Sequence, residues 1–377
     1  MGFEDRDWNR VGARGARVRA RWSVNTWIIA ACAAVFVIDG FVGMARPGRI
    51  FIDRTDTAGA PISQSVVAQA TPSGDAMSLR EASERFGPGI VIVARRAGLA
   101  APSVIVEPLA AGGKVVGFNW YQRAKPLEAL LHFSTATALR GDTGGGAGFP
   151  QVWRFIGFQF LHANLVHLVF NMMGLWFFGP VVERYLGGKR YGAFYLLCGV
   201  CGAAMYLLLN FLGTKVMQWN PALHVPFLLP NEPTTPLVGA SAGVFGVIMA
   251  AAFLAPNAEV LVYFILPMPL RNLAYALVGI TLLTLWTQGE NAGGEAAHLG
   301  GAIAGFLLIR RPQLLHRLFD WMGSVDPTSR SRRVRAAKRR GLVSVGEIDR
   351  ILDKIQRQGL HSLTPDEREA LREASRR

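Results

Sequence analysis

The chain has 377 residues, of which 51% are hydrophobic and 18% are charged, and its formal net charge is +14. Charges concentrate at the two ends and apolar residues in the middle, a distribution that is typical of a polytopic membrane protein and excludes an ordinary soluble enzyme. The basic excess therefore indicates contact with the cytoplasmic face of a lipid bilayer and not with nucleic acid, although a basic tail by itself leaves RNA as an alternative.

The first part of the chain predicts one membrane span followed by a long loop. Residues 1–22 form a basic tail with six arginines, and residues 23–44 form the first span, which from Val24 on is apolar apart from Asn25, Thr26 and Asp39. A signal peptide has the same polarity but a shorter apolar region, so we predict a retained helix whose N-terminus is held in the cytoplasm. Residues 45–150 are polar, and alternation of the spans places them outside the cytoplasm. Within them, the β-branched runs Ile90–Val93 and Val104–Val106 suggest a few strands.

Residues 151–310 contain the remaining apolar segments, so we predict spans two to six there. These spans start near Leu165 and continue as Tyr191–Leu212, Pro236–Pro256, Leu270–Thr287 and a short last span that ends at Arg310. Trp153 and Arg154 precede them and are typical of an anchor at headgroup depth. Glu183 and Arg184 end the second span on the cytoplasmic side.

The C-terminal part predicts a basic linker and a small helical module. Residues 311–344 are strongly basic, which suits contact with anionic headgroups. Residues 345–377 have the pattern of two short amphipathic helices, with Gly359 at the end of the first. Thr364 and Glu367 form a capping box for the second. We expect a helical hairpin with a structural or docking role.

Ser241 is the only hydroxyl in the apolar run 236–256, and Gly239 and Gly243 flank it. One interpretation is that these small residues only allow two helices to approach closely. The other is a nucleophile at a helix N-terminus, where free backbone N–H groups can hold an oxyanion. The G-x-S-x-G elbow of soluble hydrolases is excluded by context, because a Pro-rich loop precedes the serine and an all-apolar helix follows it.

Two further segments carry polar residues inside predicted spans. His167 and Asn171 are four residues apart and therefore share a helix face. Polar side chains inside a membrane are costly and indicate a buried site by default, with hydrogen bonding between helices as the alternative. His298 lies near the outer end of the last span, on a small-residue face formed by Gly301 and Gly305.

Together these four polar residues provide a nucleophile, a base and two oxyanion donors, which is a complete set for acyl transfer. No aspartate occurs between Asp142 and Asp320, so the membrane core offers no Ser-His-Asp triad. Glu295 lies one turn before His298 but at the water boundary, where it is not expected to orient the ring. The sequence therefore predicts a Ser-His dyad of Ser241 and His298, without a cofactor.

Two patterns of possible metal ligands occur in the sequence. His162, His167 and His298 could form a histidine site, but no H-E-x-x-H motif is present. Cys198 and Cys201 form C-G-V-C inside an apolar run, and no second Cys/His pair completes a zinc set. We therefore predict that the two cysteines are packing residues and that the protein holds no metal.

From about Leu127 to Arg310, the chain resembles the rhomboid family of intramembrane serine proteases. The motifs that carry the resemblance are W-R from Trp153, H-A-N-L-V-H-L-V-F-N from His162, G-P-V-V-E-R from Gly179, G-A-S-A-G from Gly239 and A-H-L-G-G-A-I-A-G from Ala297. The resemblance implies an all-α, six-span bundle with a long extracytoplasmic first loop. One departure is Ala242, where many members carry glycine.

The resemblance also implies roles for the four polar residues. Ser241 would be the nucleophile and His298 the general base and later acid. His167, Asn171 and the Ser241 backbone N–H would form the oxyanion hole. The substrate would be a single-span membrane protein, cut near the outer end of its helix after a small residue.

The same resemblance implies a multi-pass protein of a bacterial inner membrane. The arginine clusters at each end and an even number of predicted spans place both termini in the cytoplasm. The tail resembles a short helical module found after some bacterial rhomboid cores. A non-catalytic rhomboid-like protein that binds membrane clients is the main alternative, although such members usually lose the serine or the histidine. A transporter would need a polar path or an inverted repeat, and the sequence has neither.

Overall fold

A computed structural model of the chain describes residues 22–62, 64–67, 69–87, 89–96, 104–141, 148–262, 265–314, 345–359, 362–364, 367–368 and 371. The chain divides into two compact units, Met1–Arg310 and Arg311–Arg377. The predicted basic segments 1–22 and 311–344 lie outside the described residues, apart from residue 22 and residues 311–314.

The first unit is mostly helical. Its elements in chain order are α1 (Val24–Ala45), β1 (Gly48–Asp56), α2 (Gln64–Val67), β2 (Thr71–Pro72), β3 (Met77–Ser78), α3 (Leu79–Phe86), α4 (Gly89–Arg96), β4 (Val104–Ala111), β5 (Lys114–Ala124), α5 (Pro126–Leu131), α6 (Thr135–Leu139), α7 (Arg154–Gly157), a 3₁₀ turn (Phe158–Phe160), α8 (Leu165–Leu186), α9 (Gly188–Trp219), α10 (Ser241–Leu254), β6 (Glu259–Val262), β7 (Leu266–Pro269), α11 (Leu270–Thr287) and α12 (Ala292–Arg310).

Five helices among the described residues, α1, α8, α9, α11 and α12, are long and apolar enough to cross a membrane. This pattern is that of an integral, multi-pass membrane protein. The prediction of a full span over Pro236–Pro256 is wrong in length, because α10 begins only at Ser241 and has 14 residues. At about 1.5 Å per residue such a helix is about 21 Å long, short of the roughly 30 Å hydrocarbon core.

Helix α10 can be short because the other helices surround it. It packs against α8, α9 and α12, and most of its side chains are buried. Glycines make this packing close. A Cβ on Gly301 would overlap the backbone oxygen of Ala242, and one on Gly305 would overlap that of Gly246. A Cβ on Gly243 would lie 2.6 Å from a ring carbon of Tyr195.

The segment predicted as a long loop contains a folded sheet, so the expectation of an all-α protein is wrong here. The strands are antiparallel in the order β1-β5-β4-β2, and β3 also pairs with β4. Helices α3 and α4 pack on it around Trp120, which is fully buried and donates to Thr55 Oγ1 at 2.8 Å. We call residues 48–124 the sheet subdomain.

One of the two predicted strands in this region is a helix. Val104–Val106 lies in β4, as predicted, whereas Ile90–Val93 lies in α4. Ile90 and Ala94 are both buried in the core of the sheet subdomain. They are four residues apart, so the helix turns both towards the sheet, and this tertiary contact overrides the strand preference of the β-branched run.

Two other boundaries differ from the sequence prediction. Helix α9 continues past Leu212 and Gly213 to Trp219, because the first proline after Leu212 is Pro221 and a single glycine weakens a helix without ending it. The stretch between α10 and α11, for which no helix or strand is predicted from the sequence, contains a two-stranded antiparallel hairpin in which Glu259 pairs with Pro269.

Contacts at its two ends fix the direction of α1. At its start, the Glu183 carboxylate near the end of α8 accepts the backbone N–H groups of Val24 at 2.8 Å and Asn25 at 3.2 Å. Near its other end, Asp39 accepts the N–H of Leu127 at the start of α5 at 2.7 Å. Helices α1 and α8 are therefore antiparallel, and each carboxylate neutralises the positive end of a helix.

The sheet subdomain lies at the Ser241 end of the helix bundle. Thr234, in the loop that leads to α10, donates its hydroxyl to the Ile52 carbonyl of β1 at 3.0 Å. Further along this loop, Leu237 exchanges two backbone hydrogen bonds with Phe133, of 3.0 and 2.7 Å. The loop before Ser241 is thus hydrogen-bonded both to strand β1 and to Phe133, which follows the sheet subdomain in the chain.

The second unit contains helix α13 (Val345–Gln358), which ends at Gly359 with a positive φ of 78°. The expected capping box is present: Thr364 N–H donates to Glu367 Oε2 at 2.9 Å, and Glu367 N–H donates to Thr364 Oγ1 at 3.3 Å. Lys354 of α13 also donates to Glu367 at 2.8 Å. The last helix of the predicted hairpin falls only partly within the described residues.

Candidate active site

Ser241 is the first residue of α10. The first hydrogen bond of this helix runs from Val244 N–H to the Ala240 carbonyl at 3.1 Å. The N–H groups of residues 241–243 therefore have no partner within the helix and point out of its positive end. A hydroxyl in this place has backbone donors beside it that can hold a negatively charged oxygen.

Gly239 brings the imidazole of His167 next to this helix end. Its backbone has a φ of +137°, which L side chains rarely adopt. A Cβ there would lie 2.8 Å from His167 Cε1 and 3.5 Å from Ser241 Oγ. Any side chain at residue 239 would thus displace the His167 ring, so glycine is required both for the backbone conformation and for the space.

His298, on α12, faces the same region. Its ring stacks on that of Phe245, with centroids 4.1 Å apart and planes 9° from parallel. Phe245 is four residues after Ser241 and therefore lies on the same face of α10. Among the described residues no hydrogen bond joins Ser241 to His298, although both line the same cavity.

The expectation that Glu295 does not orient His298 is wrong. Glu295 Oε2 lies 3.1 Å from His298 Nδ1 and accepts a hydrogen bond of 2.7 Å from Thr281 Oγ1 of α11. The exposed fraction of the two side chains is only 16% for Glu295 and 13% for His298. The spacing i, i+3 places both on one face of α12, and Thr281 holds the carboxylate inwards, away from the water boundary.

Asn171 lies one turn after His167 and is buried. Its amide nitrogen donates to the His167 carbonyl at 2.8 Å, which uses one of its two N–H groups inside α8. The helix start is fixed by Asn164, whose side chain accepts the His167 N–H at 2.8 Å. Asn164 was part of the sequence motif, but only its capping position reveals this role.

Ser241, His298, His167 and Asn171 all line one cavity of about 1720 Å³. Its walls come from α8, α10, α11 and α12, and it extends from the Ser241 end of α10 to strand β6. The lining is mainly apolar, and the polar groups are concentrated near Ser241. The structure thus brings all four predicted residues to one end of a large apolar cavity.

His162 is buried beside this site, and its ring meets that of His167 edge to face at 5.3 Å. Burial, reinforced by the neighbouring His167, lowers the pKa of His162 to about 4. Neither of its ring nitrogens has a hydrogen-bond partner among the described residues. Within the same part of the chain, no three His, Cys, Asp or Glu side chains are arranged to hold a metal ion.

The prediction of a headgroup anchor at Trp153 and Arg154 is wrong for the arginine. Arg154 is only 3% exposed and donates to the carbonyls of His132 at 2.7 Å and Ala129 at 3.0 Å. Burial lowers the pKa of Arg154 to about 10, and burial followed by the Arg154 charge lowers that of His132 to about 4. Trp153 is half exposed and donates to Leu130. Arg154 therefore holds together the segment before α8.

The remaining predicted motif residues have structural roles at helix ends or in helix packing. Glu183 caps α1, as described above, and Arg184 is exposed and donates to the Pro180 carbonyl at 3.1 Å. Gly243, Gly301 and Gly305 allow the close packing around α10. Cys198 is buried against Gly246, and Cys201 is exposed on the outer surface of α9.

Two segments of the chain match known protein families. Residues 150–311 match the rhomboid domain family, and residues 344–377 match DUF6576, a family of unknown function. RHOMBOID-like protein 12, mitochondrial, of Arabidopsis thaliana is 32% identical over 144 residues, 38% of this chain and 41% of that protein. The rhomboid protease AarA of Providencia stuartii is 29% identical over 162 residues, 41% of this chain and 54% of that protein.

YdcA, a Bacillus subtilis protein whose name refers to the rhomboids, is 30% identical over 164 residues, which are 43% of this chain and 68% of that protein. The chain spans about half the length of several other relatives. The matched segment contains the cavity and all four of its predicted polar residues. The chain belongs to the rhomboid family.

Proposed function

We propose that the protein is an intramembrane serine endopeptidase that cleaves transmembrane substrates, with Ser241 as nucleophile and His298 as base. The observation that carries this proposal is the position of Ser241 at the free N-terminus of a buried short helix, in one cavity with His298 and beside His167. Named rhomboid proteases among the relatives support the same reaction.

The chemistry follows from these groups. His298 accepts the proton of Ser241 as its oxygen attacks the carbonyl carbon of the scissile peptide bond. The negative charge that forms on the carbonyl oxygen is held by the free N–H of Ser241 and by the side chains of His167 and Asn171. His298 then gives the proton to the leaving amine, and a water molecule hydrolyses the ester on Ser241 by the same steps.

The cavity supports a polypeptide segment as substrate. Its volume of about 1720 Å³ exceeds the roughly 300–1,000 Å³ of pockets for small ligands. The apolar lining from α8 and α11 suits a helix that enters from the bilayer. Such a helix must unwind locally, because its amide groups are bonded internally. We therefore propose single-span membrane proteins with a small residue before the cut.

We further propose that α10 counts as a sixth membrane segment and that both termini lie in the cytoplasm of a bacterial cell, with the inner membrane as the site of action. Residues 45–150 would then lie outside the cytoplasm. The domain boundaries proposed are 23–44 for the first span, 151–310 for the catalytic core and 345–377 for a C-terminal docking module.

The test is labelling of Ser241 by a fluorophosphonate probe, combined with cleavage of a single-span substrate in detergent. We expect wild type to be labelled and active, Ser241→Ala to be unlabelled and inactive, and His298→Ala to be folded but nearly inert. The two defects should be far from additive, because the pair acts as one unit. Folded wild type that takes no probe and cleaves no substrate would establish the alternative, a non-catalytic protein that binds membrane clients.

A further inference from the structure

We propose that Glu295 is a positioning residue of this site: its carboxylate, anchored by Thr281, fixes the His298 ring with Nδ1 protonated and Nε2 free to face Ser241. This inference rests on the proposed function. It keeps the proposed pair of Ser241 and His298 and adds a third residue, which comes from the same helix as the base.

Hydrogen-bond chemistry determines the tautomer. Thr281 donates its hydroxyl hydrogen to Glu295 Oε2, so this oxygen is an acceptor. An ionised carboxylate has no hydrogen to donate, so the contact of 3.1 Å to His298 needs a hydrogen on Nδ1. A neutral imidazole carries one hydrogen, and Nε2 is then left with a free lone pair. That lone pair is what a general base for Ser241 needs.

The ring is also fixed in orientation. Phe245 covers one face in a nearly parallel stack, and Glu295 holds one edge. Thr281 is only 1% exposed and ties the carboxylate to α11, so Glu295 cannot turn towards water without losing this bond. Rotation of the ring about its bond to Cβ would break either the stack or the hydrogen bond.

The carboxylate also favours the charge that develops during the reaction. As His298 takes the Ser241 proton, the ring becomes a cation, and a carboxylate 3.1 Å from Nδ1 stabilises that cation. Both side chains are largely shielded from solvent, so the attraction is screened less than on an open surface. Glu295 should therefore accelerate the chemical step more than it assists binding.

A purely structural role is the competing explanation. Glu295 lies in the first turn of α12, where a carboxylate stabilises the positive end of a helix, and its bond to Thr281 joins α11 to α12. Both explanations predict that removing Glu295 lowers stability. Only the positioning role predicts a selective loss in the chemical step and a change in the His298 tautomer.

The experiment compares Glu295→Ala, Glu295→Gln and Thr281→Val with wild type, and uses Glu290→Gln as the matched control. Glu290 is an exposed carboxylate in the loop before α12. The full-length protein in detergent is reacted with a fluorophosphonate probe, and the maximal labelling rate at Ser241 is separated from the half-saturating probe concentration. Thermal unfolding is recorded for each variant, and ¹⁵N-histidine NMR at about pH 8, above the ordinary histidine pKa, reports the tautomer.

We expect the maximal labelling rate of Glu295→Ala to fall by about tenfold to a hundredfold, with the half-saturating concentration unchanged. Glu295→Gln should lose less than Glu295→Ala, because its amide oxygen still accepts from Nδ1. Thr281→Val should show a smaller loss, and Glu290→Gln none. The His298 signals should show Nδ1 protonated in wild type and a mixture of tautomers in Glu295→Ala.

Three results would overturn the inference. One is a Glu295→Ala variant that is labelled at the wild-type rate. Another is a loss that parallels the fall in unfolding temperature across all variants, which would mean a structural role. The third is a wild-type tautomer with Nε2 protonated. Labelled wild type combined with any of these refutes only the role of Glu295, whereas unlabelled wild type refutes the proposed function and this role together.

Discussion

At the scale of single residues, the neighbours of Ser241 determine what its hydroxyl can do. A serine inside a membrane helix is commonly a small packing residue. Here it lies at the free end of a helix, within reach of the His167 ring and in one cavity with His298. The free backbone N–H groups and the two imidazoles thus lie in the same cavity as the Ser241 hydroxyl. This arrangement supports the nucleophile over the packing interpretation.

His167 and Asn171 give a prediction at this scale. Replacement of either by alanine should lower turnover of a single-span substrate by about a hundredfold or more, with KM little changed, because the donors act mainly on the developing oxyanion. His224→Ala is the control, since His224 is exposed and does not line the cavity. Steady-state cleavage in detergent measures both constants. Unchanged turnover in both variants would mean that the two residues only pack the helix.

At the scale of elements, the contact between α10 and α12 positions the side chains of Ser241 and His298. Ser241 lies on α10 and His298 on α12. The two helices approach so closely that the backbone of α10 occupies the positions that side chains at Gly301 and Gly305 would take. Helix spacing of this kind depends on the absence of side chains. A side chain at either glycine would move α12, and with it His298, away from Ser241.

Gly305→Ala tests this contact against Gly279→Ala. The new methyl group at residue 305 would overlap the backbone oxygen of Gly246, whereas residue 279 of α11 is exposed and has nothing within 4 Å of an added Cβ. We expect Gly305→Ala to lower the free energy of unfolding by about 1–3 kcal/mol and to lower activity. Gly279→Ala should be neutral or stabilising by up to about 1 kcal/mol. Unfolding in mixed detergent micelles measures both, and equal effects would contradict the close-packing explanation.

At the scale of the whole molecule, the antiparallel helices α1 and α8 separate two ends of the first unit. Glu183 marks the end at which α1 starts. The sheet subdomain and Ser241 share the other end, where Thr234 bonds to Ile52. If the arginine-rich N-terminus is cytoplasmic, the sheet subdomain and Ser241 must face the opposite side.

Single-cysteine labelling tests this topology. In a variant without the three native cysteines, Ala60→Cys should react with a membrane-impermeant reagent in intact cells, and Arg340→Cys should react only after the membrane is opened. This outcome follows from the proposed orientation, in which the positively charged segments stay in the cytoplasm and the proposed six spans return the chain there. The opposite labelling pattern would invert the proposed orientation. Each variant should retain cleavage activity, which serves as the folding control.

Much of the fold and of the candidate site could be predicted from the sequence by itself. Apolar length located the five long helices, since a span needs about 20 apolar residues. Polar residues that are costly in lipid, together with the motifs around them, identified Ser241, His298, His167 and Asn171, and the structure brings these four to one cavity. The capping box at Thr364 was predictable because its bonds are local.

Other features depended on contacts between segments far apart in the chain, which periodicity and spacing do not reveal. The bond from Thr281 turns Glu295 inwards, and the carbonyls of His132 and Ala129 bury Arg154 although a cation before a span is typical of an anchor. Helix α10 is short because the surrounding helices shield it from lipid, so it need not match the bilayer. The distribution of apolar residues along the chain determines which segments are buried in the membrane. Which polar groups come into contact depends on how those segments pack, and only the tertiary structure decides that.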